Sequence, residues 1–365
     1  MSDTDNQSKD IAALPHPLGV APQWIDSAGR KIALHVSRPA RIDLPTVPPL
    51  VLVHSVNAGA SAVEMHSLFR RQAQSQNRAV VALDLPGFGA SERTPGHVTP
   101  ATMARAISDS LEWTQRHVAP GPADVVALSL GCEFATLAAL SHPRAVRSLA
   151  LISPTGMERR RIGEPYVQGG TRRNALVAAM LALPGAGRAL HTALGSRLST
   201  RWLLARTWGT PLVDESLLAH AEAHSRVTGS HHAASDLLSG SLFTRGIVSA
   251  YPRLDMPVLV AHGRRGKSTD FEAYGHVASR GSASWQRRIF DTGGMPHLEW
   301  PSDFEAAYQS WLTGHVVPWA ASPMTVLSEA AKPKVSEAMN EVSRIGRRLG
   351  SPSPVRAGAP LAGAG

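Results

Sequence analysis

Cysteine is almost absent from this chain, since Cys132 is the single cysteine among 365 residues. A lone cysteine excludes an internal disulfide and any zinc site built from several thiolates. Aromatic residues make up 5% of the sequence and charged residues 18%, against 43% hydrophobic residues. This composition can bury a large core, or a core with a smaller domain beside it, and it excludes both a wholly disordered protein and a small disulfide-stapled peptide.

Long apolar runs are lacking too, since no stretch of about 18 consecutive apolar residues occurs. The first residues are acidic where a secretory signal would be basic, and no apolar segment follows them. Basic residues outnumber acidic ones by 37 to 28, but the surplus lies in residues 157–206 and in the tail from Met324. We therefore expect a cytoplasmic protein with no nucleic-acid partner, whose arginine-rich segment can attract an anionic substrate.

Metal and nucleotide sites lack their usual sequence signals. His231 and His232 are adjacent, so on a helix their side chains diverge by about 100°, and no carboxylate or thiolate stands at a useful spacing. The glycine-rich stretches do not both follow a strand and open a helix, as a phosphate-binding loop does. We predict neither a metal nor a cofactor.

The hydrophobic pattern divides the chain into segments. Residues 1–22 are polar and then Pro-rich, and we predict that they are disordered. Almost continuously apolar runs alternate with helical stretches over 23–156 and 255–318, which predicts an α/β domain with a doubly wound, mostly parallel sheet. Between them, Leu- and Ala-rich stretches broken by Gly and Pro over 157–254 predict an inserted helical cap.

Residues 319–365 are predicted to form a basic tail outside this fold. Apolar residues recur at steps of three and four over 333–349, which predicts one amphipathic helix ending just before Gly350. Such a helix can pack on its own domain, contact a protein partner or lie on a membrane, and the sequence leaves these alternatives open.

A serine follows the apolar strand from Asp124. The run DVVALSLG ends in small-x-Ser-x-Gly and continues into a helical segment. A serine on such a corner needs a strained backbone, and the residues two positions away must be small, as Ala127 and Gly131 are. The corner would lift Ser129 above the carboxyl edge of the sheet, where the Leu130 N–H faces a developing oxyanion. Ser129 is therefore a candidate nucleophile, with a structural turn serine as the alternative.

Three further segments contain recognisable motifs. VHSVN follows the third strand, DLPGFGAS follows the fourth, and MPHLEWP lies near the end of the folded region. Together with the elbow and the insertion, they resemble the α/β-hydrolase superfamily, in its branch with a helical cap, over about residues 23–315. The resemblance implies that the backbone N–H groups of Val56 and Leu130 form the oxyanion hole. It gives Asp84 and Ser91 the role of holding a loop.

The chain departs from the family's pattern at the two remaining triad positions. The acid usually stands three residues after the glycine that ends its strand, which places Gly266 at that position. The histidine usually stands directly before x-Pro-x-x-Glu-x-Pro, which places Gly294 there. Ser55 also replaces a usual glycine in the oxyanion loop, where it can crowd the approach of a substrate carbonyl.

Nearby residues offer replacements. His297 lies three residues past Gly294 and is our candidate base, with packing at a helix start as the alternative. Asp270 and Glu272 follow the expected acid, although Asp270 also fits a helix cap. His262, at the end of a strand, is predicted to be a buried, hydrogen-bonded histidine.

Two functions follow from these residues. The first is a serine hydrolase that attacks a small or medium apolar ester, thioester or related acyl substrate through Ser129. The second is a catalytically silent relative that binds a ligand or partner in the same cleft. Because loss of the base alone costs roughly a millionfold in turnover, the first function requires His297 or an unidentified base.

Overall fold

The fold is given by a computed structural model, and the structure describes residues 3–14, 18–39, 47–75, 78–94, 96, 98–265 and 270–316. The predicted tail, with its amphipathic helix, and Gly266 lie outside these residues. Within them, no helix combines the length and the apolar composition needed to cross a membrane.

The described residues form eight strands: β1 Gln23–Ser27, β2 Arg30–Ser37, β3 Leu50–Val53, β4 Val80–Leu83, β5 Ala123–Leu128, β6 Val146–Ile152, β7 Val258–Gly263 and β8 Trp285–Phe290. They lie in one sheet in the order β1-β2-β4-β3-β5-β6-β7-β8. β2 pairs antiparallel with β1 and β4, and every pairing from β4 to β8 is parallel. The predicted α/β fold with a mostly parallel sheet is confirmed.

Helices cover both faces of this sheet. Those of the α/β domain are α2 His66–Ser75, α3 Pro100–His117, α4 Gly131–Ser141, α11 Tyr274–Ala278, α12 Pro296–Glu299 and α13 Pro301–His315. Alternate residues of β3 enter separate cores: Val51 packs in the core that includes α3 and α4, and Leu52 in the core that includes α2 and α13. Burial on both faces explains the unbroken apolar runs in the sequence.

The chain between β6 and β7 is helical. Its helices are α5 Ala175–Leu181, α6 Ala186–Leu194, α7 Arg197–Trp208, α8 Glu215–Ser225, α9 His231–Leu238 and α10 Ile247–Ala250. Side chains of Asn174, Ser196 and Asp214 accept backbone N–H groups and so cap the starts of α5, α7 and α8. We call residues 157–254 the insertion.

The N-terminal segment differs from its prediction of disorder. Asp3–Ala12 form helix α1. The Asp10 carboxylate accepts the Thr228 backbone N–H at 2.9 Å and its hydroxyl at 2.6 Å, and the Gln7 side-chain amide donates to the Thr228 carbonyl oxygen at 3.2 Å. The prediction for 1–22 is therefore wrong over this helix, because contacts with a residue more than 200 positions away hold it, and local composition carries no record of them.

Candidate active site

Ser129 occupies the corner between β5 and α4. Its φ of +54° is the left-handed conformation that a non-glycine residue rarely adopts. Its N–H donates to the Ile152 carbonyl oxygen at 2.8 Å. A Cβ atom on Gly131 would lie 2.3 Å from the His54 carbonyl oxygen, so only glycine fits there. The strained elbow predicted from the spacing of small residues is present.

A cavity of about 210 Å³ lies between the carboxyl ends of the strands and the insertion. Ser129, Val56 and Gly294 line it from the α/β domain. The insertion contributes mostly apolar side chains, and the lining residues from α6, α7 and α8 are Leu194, Thr200, Leu203, Leu204, Thr207, Leu217, His220 and Ala221. Such a lining suits an apolar group whose polar atoms meet Ser129.

The oxyanion loop is held by a carboxylate that the sequence reasoning missed. The buried Glu64 side chain accepts the Ser55 N–H at 2.9 Å and the Asn57 side-chain amide at 2.7 Å. Asn57 also donates to the Ser55 hydroxyl at 3.2 Å. Among the described residues, the backbone N–H groups of Val56 and Leu130 have no hydrogen-bond partner; Val56 lines the cavity, and Leu130 directly follows Ser129. The sequence signal that could have identified Glu64 is that it is the one acidic residue in the largely apolar run SAVEM.

Asp84 and Ser91 hold the following loop. The Asp84 carboxylate accepts the N–H groups of Ala62 at 2.7 Å and Ala90 at 2.8 Å, and its Oδ2 lies 3.0 Å from His35 Nε2. The Ser91 hydroxyl donates to the Asp84 carbonyl oxygen at 2.6 Å. Burial alone would raise the Asp84 pKa, but His35 and the hydrogen bonds hold that pKa well below its ordinary value.

Gly294 lines the cavity. It stands at the position where the family's sequence pattern predicts a histidine. Its N–H donates to the Thr207 carbonyl oxygen at 2.7 Å, and its carbonyl oxygen accepts the Ser153 hydroxyl at 2.7 Å. A Cβ atom on Gly294 would lie 3.0 Å from Thr207 Cγ2, and one on Gly293 would lie 2.3 Å from the Trp208 Cα. The end of α7 therefore packs against a turn that carries no side chains.

The structure does not bring His297 to Ser129. Its ring is buried and edge-on to Phe304, and its Nε2–H donates to the Glu64 carbonyl oxygen at 2.9 Å. Burial lowers the His297 pKa to about 4. Among the described residues, the hydroxyl of Ser129 has no hydrogen-bond partner, and His297 does not line the cavity. This geometry favours the packing role for His297.

The two candidate acids contact the insertion and do not line the cavity. Asp270 Oδ1 accepts the Arg159 N–H at 2.9 Å, and the Glu272 carboxylate lies 3.5 Å from the Arg159 guanidinium. His262 is buried, as predicted: its Nδ1–H donates to the Gly263 carbonyl oxygen at 3.0 Å and its ring stacks on Phe271. Among the described residues, Asp270, Glu272 and His262 form no hydrogen bond with Ser129, and none of the three lines the cavity.

His220 is a cavity residue that the sequence reasoning missed. It lies on α8 and lines the cavity together with Ser129. Its Nδ1 lies 2.6 Å from the Ser216 carbonyl oxygen, an acceptor that requires the proton on Nδ1. Nε2 is then left with a free lone pair, which is the form of histidine that accepts a proton. Nothing near residue 220 in the sequence distinguishes it from other helical histidines.

Metal ligands are not grouped in this site. Among the residues that the structure describes, no three or more His, Cys, Asp or Glu side chains are placed to hold a metal ion. The polar residues that line the cavity are Ser55, Asn57, Ser61, Glu64, Ser129, Ser153, Thr200, Thr207 and His220. A hydroxyl and a histidine among them suit acyl transfer.

A family model described as the alpha/beta hydrolase fold matches residues 48–301. The chain belongs to the α/β-hydrolase fold family. An abhydrolase domain-containing protein of Caenorhabditis elegans, abhd-5.2, is 36% identical over 108 residues, which is 30% of this chain. The match spans only 23% of that relative's length.

Solved structures of other α/β hydrolases have the same fold. An esterase from Exiguobacterium antarcticum superposes with a TM-score of 0.61 at 16% identity, covering 80% of this chain and 100% of the esterase. A serine hydrolase involved in carbazole degradation gives a TM-score of 0.60 at 16% identity, covering 80% of this chain and 98% of that enzyme. At such low identity these matches show the fold alone.

Proposed function

We propose that this α/β hydrolase attacks a small or medium apolar ester, thioester or related acyl compound through Ser129. The observation that carries the proposal is the strained φ of +54° at Ser129 beside two oxyanion donors. Such strain costs about 1–3 kcal/mol and is characteristic of sites where it serves a function. The close approach of Gly131 to the His54 carbonyl oxygen allows only glycine two positions after Ser129. The insertion would act as the cap that shapes the acyl pocket, and its arginines would attract an anionic substrate.

His220 is the best-supported candidate for the base that this function requires. His220 lines the cavity together with Ser129 and its Nε2 is free, whereas His297 Nε2 is bonded to the Glu64 carbonyl oxygen. His220, on the insertion, would then serve as the base in place of a histidine at position 294. His220 would accept the Ser129 proton during attack and return it to the leaving group.

The catalytically silent alternative has one observation in its favour. Thr207 packs on Gly294, where the family's imidazole would stand, so a side chain at that position would be in tight contact with the insertion. If His220 does not act on Ser129, the same cavity is left as a ligand-binding site. The two functions differ in whether Ser129 reacts.

Labelling with a fluorophosphonate probe separates them. The wild-type protein is expected to label at Ser129, and Ser129→Ala should not label. Ser153→Ala is a matched control, since Ser153 also lines the cavity with a positive φ of +46° but its hydroxyl is bonded to Gly294. A folded wild-type protein that does not label would contradict the hydrolase and support the silent relative.

A further inference from the structure

Helices α5 to α7 expose apolar side chains to solvent. Six of these side chains, in or next to the three helices, are between 59% and 82% exposed: Leu176, Met180, Leu183, Leu198, Trp202 and Leu212. We call them the outer apolar surface. α5 contacts α6, and α6 contacts α7, so the surface extends over neighbouring helices. Exposed apolar areas of this kind usually mark a surface that another phase or molecule covers.

The same part of the chain is strongly basic. Residues 165–213 contain six arginines and no Asp or Glu. Arg173, Arg188 and Arg206 are exposed and form no ion pair with any residue that the structure describes. The Arg206 guanidinium lies 5.8 Å from the centre of the Trp202 ring. The segment that carries the outer apolar surface therefore also carries three exposed arginines without an ion pair, and one of them lies beside Trp202.

We propose that the outer apolar surface docks on an anionic lipid membrane. Tryptophan and arginine side by side suit the boundary between water and lipid, where the ring enters the acyl region and the cation meets the headgroups. Anionic headgroups complement the unpaired arginines. A second copy of the chain fits less well, because a two-fold contact would set these arginines against each other.

The surface lies next to the cavity. Leu203 follows Trp202 and lines the cavity, as do Leu194 of α6 and Leu204 of α7. Helix α7 therefore carries residues of the outer apolar surface as well as residues that line the cavity with Ser129. Docking does not depend on catalysis, but delivery of a membrane-dissolved acyl substrate to Ser129 would rest on the proposed function.

Vesicle co-sedimentation of the full chain tests the docking. Wild-type protein should sediment with vesicles of phosphatidylcholine and phosphatidylglycerol, and much less with phosphatidylcholine alone. The double variant Leu198→Ser/Trp202→Ser should bind about tenfold more weakly or worse. Trp24→Ser is the matched control, because Trp24 is 52% exposed on β1, outside the outer apolar surface. Since all three side chains are exposed, thermal unfolding should be nearly unchanged.

Three results would overturn the proposal. The first is wild-type protein that does not sediment with anionic vesicles, and the second is a double variant that binds them as well as wild type does. The third is a wild-type dimer in lipid-free solution that becomes a monomer in the double variant, which assigns the surface to self-association. Ser129→Ala should bind vesicles normally, so failure of docking and failure of the hydrolase are separate outcomes.

Discussion

Gly294 is hydrogen-bonded through its N–H to the carbonyl oxygen of Thr207 at 2.7 Å. This bond joins the turn where α/β hydrolases usually carry their histidine to the end of α7 in the insertion. A glycine at 294 permits the close approach, since a Cβ atom would lie 3.0 Å from Thr207 Cγ2. A glycine at position 294 and the close packing of α7 on this turn therefore go together.

Restoring the histidine should create or raise esterase activity. Gly294→His alone meets the Thr207 methyl group, so the pair Gly294→His/Thr207→Ala is expected to give the larger gain. We expect kcat/KM for a p-nitrophenyl ester to rise about tenfold or more above wild type. Thr207→Ala alone should give no gain. A folded pair without added activity would leave the assignment of position 294 unsupported, and Gly266→Asp can then test the acid position.

Replacing His220 should slow the reaction of Ser129 with the fluorophosphonate. His220→Gln keeps the size of the side chain but removes the base, and we expect the labelling rate to fall about 100-fold. His297→Gln is the paired variant, since His297 is bonded to Glu64 away from the cavity. If His297→Gln abolishes labelling while His220→Gln does not, the base is His297 and our assignment is reversed.

Asp84→Asn should destabilise the fold without replacing a residue that lines the cavity. The amide cannot accept both N–H groups that the carboxylate accepts, and we expect a loss of about 3 kcal/mol in the free energy of unfolding. Because the folded pKa lies below the unfolded value of about 3.9, Asp84 stabilises above about pH 4 and loses this effect as the pH falls further. Urea unfolding at pH 7 and pH 3 should show a smaller acid loss in Asp84→Asn than in wild type. The exposed Asp255→Asn should resemble wild type.

His224→Leu should stabilise the protein. His224 is buried, neither ring nitrogen has a hydrogen-bond partner among the described residues, and burial lowers its pKa to about 4. The unfolded chain, with a pKa of about 6.5, binds the proton more strongly, so the histidine weakens the fold as the pH falls from about 6.5 to about 4. We expect a gain of about 1 kcal/mol at pH 7 and a larger gain at pH 5, measured by urea unfolding. A loss at both pH values would mean that His224 has a partner.

The sequence by itself determined the sheet and the elbow. Apolar runs such as Leu50–Val53 specify strands buried on both faces, and Ala127 and Gly131 permit the strained corner at Ser129. These features depend on neighbours along the chain, so a linear pattern records them.

Only the tertiary structure decided which groups surround Ser129. His220 shares its cavity although 91 positions separate the two residues, and His297 reaches Glu64 across 233 positions. Helix α1 is held in the same way by Thr228. The packing of the insertion on the sheet brings such groups together, and no spacing in the sequence encodes that packing.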